Sequence, residues 1–195
     1  DVLAQMPAQN AEIFEAQLKD LSSTGKDGVL QLVKMMSIPG NISSIEYALS
    51  GLSHYVSANG RESQRLVTSN TYIESLDQVT DREIRAFIIR QLEVIGKDEA
   101  VAKLSTYLNN ESLSGPAARA LASINSSAAQ EAIIKALKSD IKGKSKQDVI
   151  LAVAEMQIAG TENMLKTLLR GADANLNKTV IYALSRVGTK ASLSD

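Results

Sequence analysis

The chain has 195 residues, 44% of them hydrophobic but only 4% aromatic, with no Trp, no Cys and a net charge of −1 from 21 basic and 22 acidic side chains. That balance supports a sizeable core built from Leu, Ile, Val and Ala, and it excludes disulfides, zinc–thiolate sites and thiolate nucleophiles. It supplies no field that would draw the chain to a phosphate polymer or an anionic bilayer, and no apolar run approaches the roughly 20 residues that span a membrane.

In chain order, the first pattern is Phe14, Leu18 and Leu21 followed by Val29, Leu32, Val33 and Met36. Apolar residues one helical turn apart, a break, and a second such run make one helix–turn–helix unit. The pattern recurs with Ile45, Leu49 and Leu52 before Leu66, Ile73 and Leu76, and with Ile88, Leu92 and Ile95 before Val101, Leu104 and Leu108. It continues with Ala117, Leu121 and Ile124 before Ile133, Ile134 and Leu137, and with Ala152, Met156 and Ala159 before Leu165, Leu168 and Leu169. A last first-helix, about Asn175 to Val187, carries Val180, Leu184 and Val187 and leaves only Thr189 to Asp195 after it.

Taking the middle residue of each triplet as an anchor, the fourth residue beyond it is Ser22, Ser53, Gly96, Asn125, Gly160 or Gly188. These types suit a helix end. Ile38-Pro39-Gly40-Asn41 reads as a turn between pairs, and Pro116 falls in a first helical turn, where its missing N–H costs nothing. The second unit has room for a longer helix across Arg61 to Leu76, and Lys138 to Lys146 reads as a polar connection before a helix starting near Gln147. No segment alternates with a two-residue period between hairpin turns, so almost no sheet is expected. The prediction is an all-α solenoid of about five to six helix pairs forming a single domain over 1–195, a fold that holds partners on an extended surface.

Residues that suggest chemistry are few. Gly143-Lys144-Ser145 matches the tail of a phosphate-binding loop, but the earlier glycine is replaced by Lys138 and the preceding pattern is helical. Lys138, Lys142, Lys144 and Lys146 then read as a solvated loop beside Asp140 and Asp148. The single His54, near a helix end, removes most acid–base and metal schemes. Asp81 and Asp98-Glu99 stand at helix starts, as capping requires, and Asp81 with Arg85 reads as a structural pair four residues apart. No catalytic, metal or cofactor residue is expected.

Asp81-x-x-Ile84-Arg85, then Leu92-x-x-Ile95-Gly96, then Asp98-Glu99-Ala100-Val101 resembles the HEAT-like repeat of the phycobilisome-lyase type. The resemblance is best over Asp81 to Leu108, and weaker copies extend it along the chain. The fourth unit has Leu113 and Ser114 where the third has Ile84 and Arg85, and the fifth has Asp148 and Val149. The resemblance implies a right-handed, armadillo-like superhelix whose second helices line a concave face. Arg65, Tyr72, Lys103, Tyr107 and Lys135 are the candidate binding residues on those helices, with edge-of-core packing as the alternative for each tyrosine. The chain is also similar to HEAT-repeat regions of secreted bacterial multidomain proteins that end in a jelly-roll domain resembling sugar-active or sugar-binding modules.

The expected function is therefore a non-enzymatic scaffold for a protein or for another domain of the same chain, without cofactor, nucleic acid or membrane span. The alternative is the scaffold region of a carbohydrate-acting or carbohydrate-binding multidomain protein. A start at Asp1 fits a processed periplasmic or secreted chain or a segment of a longer one, and cytoplasmic residence is the alternative, since a cysteine-free chain suits either. Val180, Ile181, Leu184 and Val187 have no following helix to cover them, so the chain is expected to continue past Asp195 or to dock at this end.

Overall fold

The computed structural model describes residues 8–38, 40, 42–169 and 174–188. Among these residues there are eleven α-helices and no strand. The chain divides into two compact units, residues 1–100 and 101–195.

The first unit contains α1 (Ala11–Ser23), α2 (Gly25–Met35), α3 (Ile42–Val56), α4 (Glu62–Gln78) and α5 (Arg82–Ile95), and the division falls inside α6 (Asp98–Ser105). First helices pack on first helices, α1 on α3 and α3 on α5, while α2 packs on α4. The second unit contains α7 (Ser114–Ile124), α8 (Ser127–Lys138), α9 (Gly143–Glu155), α10 (Glu162–Leu169) and α11 (Ala174–Val187). There α7, α9 and α11 form the first-helix row, with α8 against α7 and α9 and α10 against α11. This is the predicted all-α array of five pairs and a terminal first-helix. The segment after Gly188 and two residues of the Ile38–Asn41 turn lie outside the described residues.

The helix starts follow local chemistry. Asn10 accepts a hydrogen bond from Ile13 N–H at 2.9 Å, Asp81 from Glu83 and Ile84 N–H at 2.8 and 3.0 Å, and Ser126 from Ala129 N–H at 3.3 Å. Each satisfies a donor that the first turn leaves without a helical acceptor. Asp81 and Arg85 do not bond to each other: Arg85 Nε donates to the Val79 carbonyl at 2.6 Å, so both side chains serve the backbone at the entry to α5.

The apolar anchors Leu49, Leu92 and Leu121 are wholly buried, and Leu18 nearly so. The fifth pair departs from the sequence prediction. Helix α9 begins at Gly143 and ends at Glu155, so the supposed polar connection contributes its first turn, with Ser145 and Lys146 buried and Ala159 exposed. Gln157 takes the left-handed conformation (φ 49°), as Asn125 does after α7 (φ 45°), and Ile158 N–H closes back on the Val153 carbonyl at 3.2 Å. That is a Schellman-type stop, and it makes Val153 the true anchor, three residues before Met156. An apolar helical stripe looks alike when shifted by three or four residues, which is why periodicity alone placed the anchor at Met156, although the expected turn residue Gly160 does lie between α9 and α10 in the left-handed conformation (φ 77°).

The expected turn residues divide similarly. Ser22 and Ser53 lie inside longer helices, and the Ser53 hydroxyl is satisfied there by the Leu49 carbonyl at 3.0 Å. Gly96 is not left-handed (φ −67°); a side chain is excluded because a Cβ would come within 2.5 Å of the Leu92 carbonyl oxygen.

Helix α4 is rotated from its predicted stripe. Leu66 is 42% exposed and Ile73 is half-buried, whereas Thr68, Ser69, Thr71, Tyr72, Ser75 and Leu76 face inward. The inward hydroxyls bond locally, Thr71 to the Val67 carbonyl at 2.7 Å and Ser75 to the Tyr72 carbonyl at 2.8 Å, which lets a polar face enter the core.

Candidate functional site

The residues expected to bind a partner fall in both units, Arg65 and Tyr72 in the first and Lys103, Tyr107 and Lys135 in the second. Tyr72 is fully enclosed, its hydroxyl 3.2 Å from both Ser53 Oγ and the Leu49 carbonyl oxygen. Burial pushes its pKa well above the ordinary value of 10. This tyrosine packs in the core, the alternative that the sequence left open.

Arg65 is mostly covered as well. Its Nη1 donates to Glu99 Oε1 at 2.6 Å and to the Ile95 carbonyl at 2.7 Å, and the same carboxylate accepts from Ser69 Oγ at 2.7 Å and from Lys97 N–H at 3.2 Å. Burial pushes the Glu99 carboxyl up, but the bonds from Arg65, Ser69 and its own backbone together hold it below the usual carboxylate value. Glu99 was expected only to favour a helix start; the structure also makes it the knot tying α4 to the α5–α6 turn.

In the second unit Lys103 and Tyr107 are half-buried and Lys135 is exposed. Lys135 lines a cleft of about 450 Å³ with Ser105, Leu108, Ala132 and Ile141, and neither Lys103 nor Tyr107 reaches it.

Two side chains of the lysine-rich segment, Lys144 and Lys146, tie helices together. Lys146 is buried, and its Nζ donates to the carbonyls of Leu137 at 2.7 Å and Ser139 at 3.1 Å, closing the end of α8. Burial lowers the pKa of this ammonium, and Asp140 opposes the shift only in part. Lys144 bonds Asp148 Oδ2 at 2.6 Å, and Ser114 Oγ donates to the same oxygen at 2.6 Å. Gly115 permits this junction of α7 with α9: a Cβ there would lie 3.1 Å from Lys144 Nζ and 3.4 Å from Asp148 Oδ2.

The most accessible chemistry lies on the first helices, where sequence reasoning did not look. The residue two before each anchor points outward: Ala16, Tyr47 and Arg90 in the first unit, and Arg119, Leu151 and Tyr182 in the second. Tyr47 also stacks at 4.9 Å on Phe14. In the second unit the column borders a cleft of about 460 Å³, lined by Ala118, Ala152, Leu151, Tyr182, Glu155 and Arg186 among others. Leu151 is 44% exposed, Tyr182 51% and the neighbouring Ile181 58%. A column drawn through the anchors would have revealed this series, but only with Val153 in place of Met156.

A model of the PBS lyase HEAT-like repeat matches residues 117–139, the stretch that runs through α7 and α8. The match falls on the fourth pair, whereas the sequence resemblance is best on the third. No curated protein matches the chain. Among solved structures, the chain is similar to the designed armadillo repeat protein YIII(Dq)4CqI, with 16% identity, 96% of this chain and 98% of that chain covered, and a TM-score of 0.49. Packed helix pairs, one of them matched by the repeat model, make the fold an all-α array of helix pairs with a HEAT-like repeat at residues 117–139.

Proposed function

We propose that the chain is a non-enzymatic interaction scaffold whose working surface in the second unit is the first-helix row α7, α9 and α11. The observation that carries this reading is the cleft bordered by Leu151, Tyr182 and Arg186. Large apolar side chains left in water beside an aromatic and an arginine are the composition of protein-binding hot spots. The floor of Ala118 and Ala152 lets a partner's side chains approach the helix backbones. By contrast Tyr72, Arg65 and Lys146 are engaged in holding helices together and offer little to a partner. The partner class is a protein surface, either a separate chain or another domain.

The test is capture of partner proteins by the immobilised full chain, compared with a Leu151→Lys, Tyr182→Lys variant and with Lys135→Glu on the second-helix cleft. Loss of the captured set with the first variant and retention with the second is expected. The reverse pattern would move the surface to the α8 side. Identical capture by all three would end the scaffold assignment to this face.

A further inference from the structure

The partner chemistry of this face follows from the level at which its side chains stand along the helices. Once Val153 is recognised as the anchor of α9, Leu151 and Tyr182 lie two residues before the anchors of α9 and α11, and Glu155 and Arg186 lie two residues after them. Helices α9 and α11 pack side by side, and with α10 as the return segment they run in the same direction. The four side chains therefore occupy the corners of a rectangle about 6 Å long, since one turn separates 151 from 155 and 182 from 186, and about 10 Å wide. One long edge carries Leu151 and Glu155, the other Tyr182 and Arg186.

Both apolar corners are substantially exposed, and both line the same cleft as the charged pair. Glu155 and Arg186 are exposed and engage no other side chain among the described residues, unlike Asp148, which Lys144 and Ser114 hold at the cleft's far end. Two opposite charges on one level and two apolar groups on the next form a self-complementary pattern. A two-fold axis parallel to the helices and midway between α9 and α11 sends each long edge onto the other. Glu155 then faces Arg186 of a second copy, Arg186 faces Glu155, and Leu151 meets Tyr182 twice. This is the matching that an isologous interface requires.

We infer that the α9–α11 face is a self-association surface and that its partner is a second copy of this chain. The inference rests on the scaffold reading and names its occupant. The charges select the partner and its orientation, and Leu151 and Tyr182 supply the apolar centre. A reversed copy, with α9 over α9, would oppose Glu155 to Leu151 and Arg186 to Tyr182, leaving each charge against an apolar group, so the same pattern disfavours the wrong arrangement.

Sedimentation equilibrium of the full chain over a wide concentration range provides the test, with far-UV circular dichroism to verify that every variant is folded. The wild-type chain should show a monomer–dimer equilibrium. Glu155→Arg and Arg186→Glu should each weaken it by at least about tenfold, because each places like charges together twice. The double reversal E155R/R186E should recover most of the loss, since the pairs are rebuilt with opposite polarity. Leu151→Lys should weaken association whatever the charges. A wild-type chain that stays monomeric, single reversals without effect, or a double reversal no tighter than either single would overturn self-association. Those outcomes leave the capture experiment above to decide whether a different protein uses the face.

Discussion

The Lys146 ammonium lies 2.7 Å from the Leu137 carbonyl oxygen, so a side chain in the first turn of α9 closes the last turn of α8. The last carbonyls of a helix have no helical donor, and here a buried cation serves two of the acceptors at that end. Lys146→Met keeps most of the stem volume and removes the donor. It should cost about 1–3 kcal/mol in a urea titration, because buried carbonyls lose their partner. A loss below about 0.5 kcal/mol would mean that water replaces the ammonium without penalty.

Leu92 and Leu184 hold the same place in the repeat but not the same burial. Leu92 is 0% exposed within the first unit, whereas Leu184 is half-buried on the terminal helix. Leu92→Ala should cost roughly 2–5 kcal/mol through lost burial and a residual cavity. Leu184→Ala should cost clearly less, since part of that side chain already meets solvent. Equal losses would show that α11 is covered more fully than its exposure indicates.

Acid should loosen the knot at Glu99. Its folded pKa is depressed below the ordinary 4.5, with the bonds from Arg65 and Ser69 outweighing the opposing effect of burial. A carboxylate of this kind contributes stability above its unfolded pKa and loses it as pH falls through the folded value. Urea midpoints of the wild type should therefore fall more steeply below about pH 4.5 than those of Glu99→Gln. Parallel curves would place the carboxylate outside the bonded network.

Tyr72 gives the opposite limb. Its raised pKa means that the unfolded chain releases the phenolic proton first, so the stabilising contribution is present below about pH 10 and is lost as pH rises toward the folded value. Tyr72→Phe should flatten the alkaline decline. Near neutrality it should cost about 1 kcal/mol, because the hydroxyl shared with Ser53 and the Leu49 carbonyl disappears.

Ser145 is buried, and its hydroxyl has no hydrogen-bond partner among the described residues. A buried hydroxyl without a partner carries a desolvation cost that an alanine avoids. Ser145→Ala should leave stability unchanged or raise it by up to about 1 kcal/mol, and a loss larger than that would reveal a bond to an ordered water.

The amino-acid sequence determined the helices, their pairing and most of the core, because burial of a stripe every three or four residues leaves its record in residue type. Leu49, Leu92 and Leu121 could be assigned to the interior on that record alone. Asp81 likewise announced its cap. The same periodicity could not choose between Val153 and Met156, since a shift of three residues preserves the stripe; the left-handed turn at Gln157 and its closure onto Val153 decided it. Nor could residue type show that α4 turns Thr68, Thr71 and Ser75 inward, because a hydroxyl's cost depends on whether a carbonyl lies within reach. Arg65 and Lys146 look like surface residues in the chain, and Tyr72 reads as either a binding or an edge-of-core residue; all three became internal ties once neighbouring helices supplied their partners. The face formed by Leu151, Glu155, Tyr182 and Arg186 arose last, for it exists only where two helices distant in sequence lie side by side at matching levels, a relation between elements that no local pattern encodes.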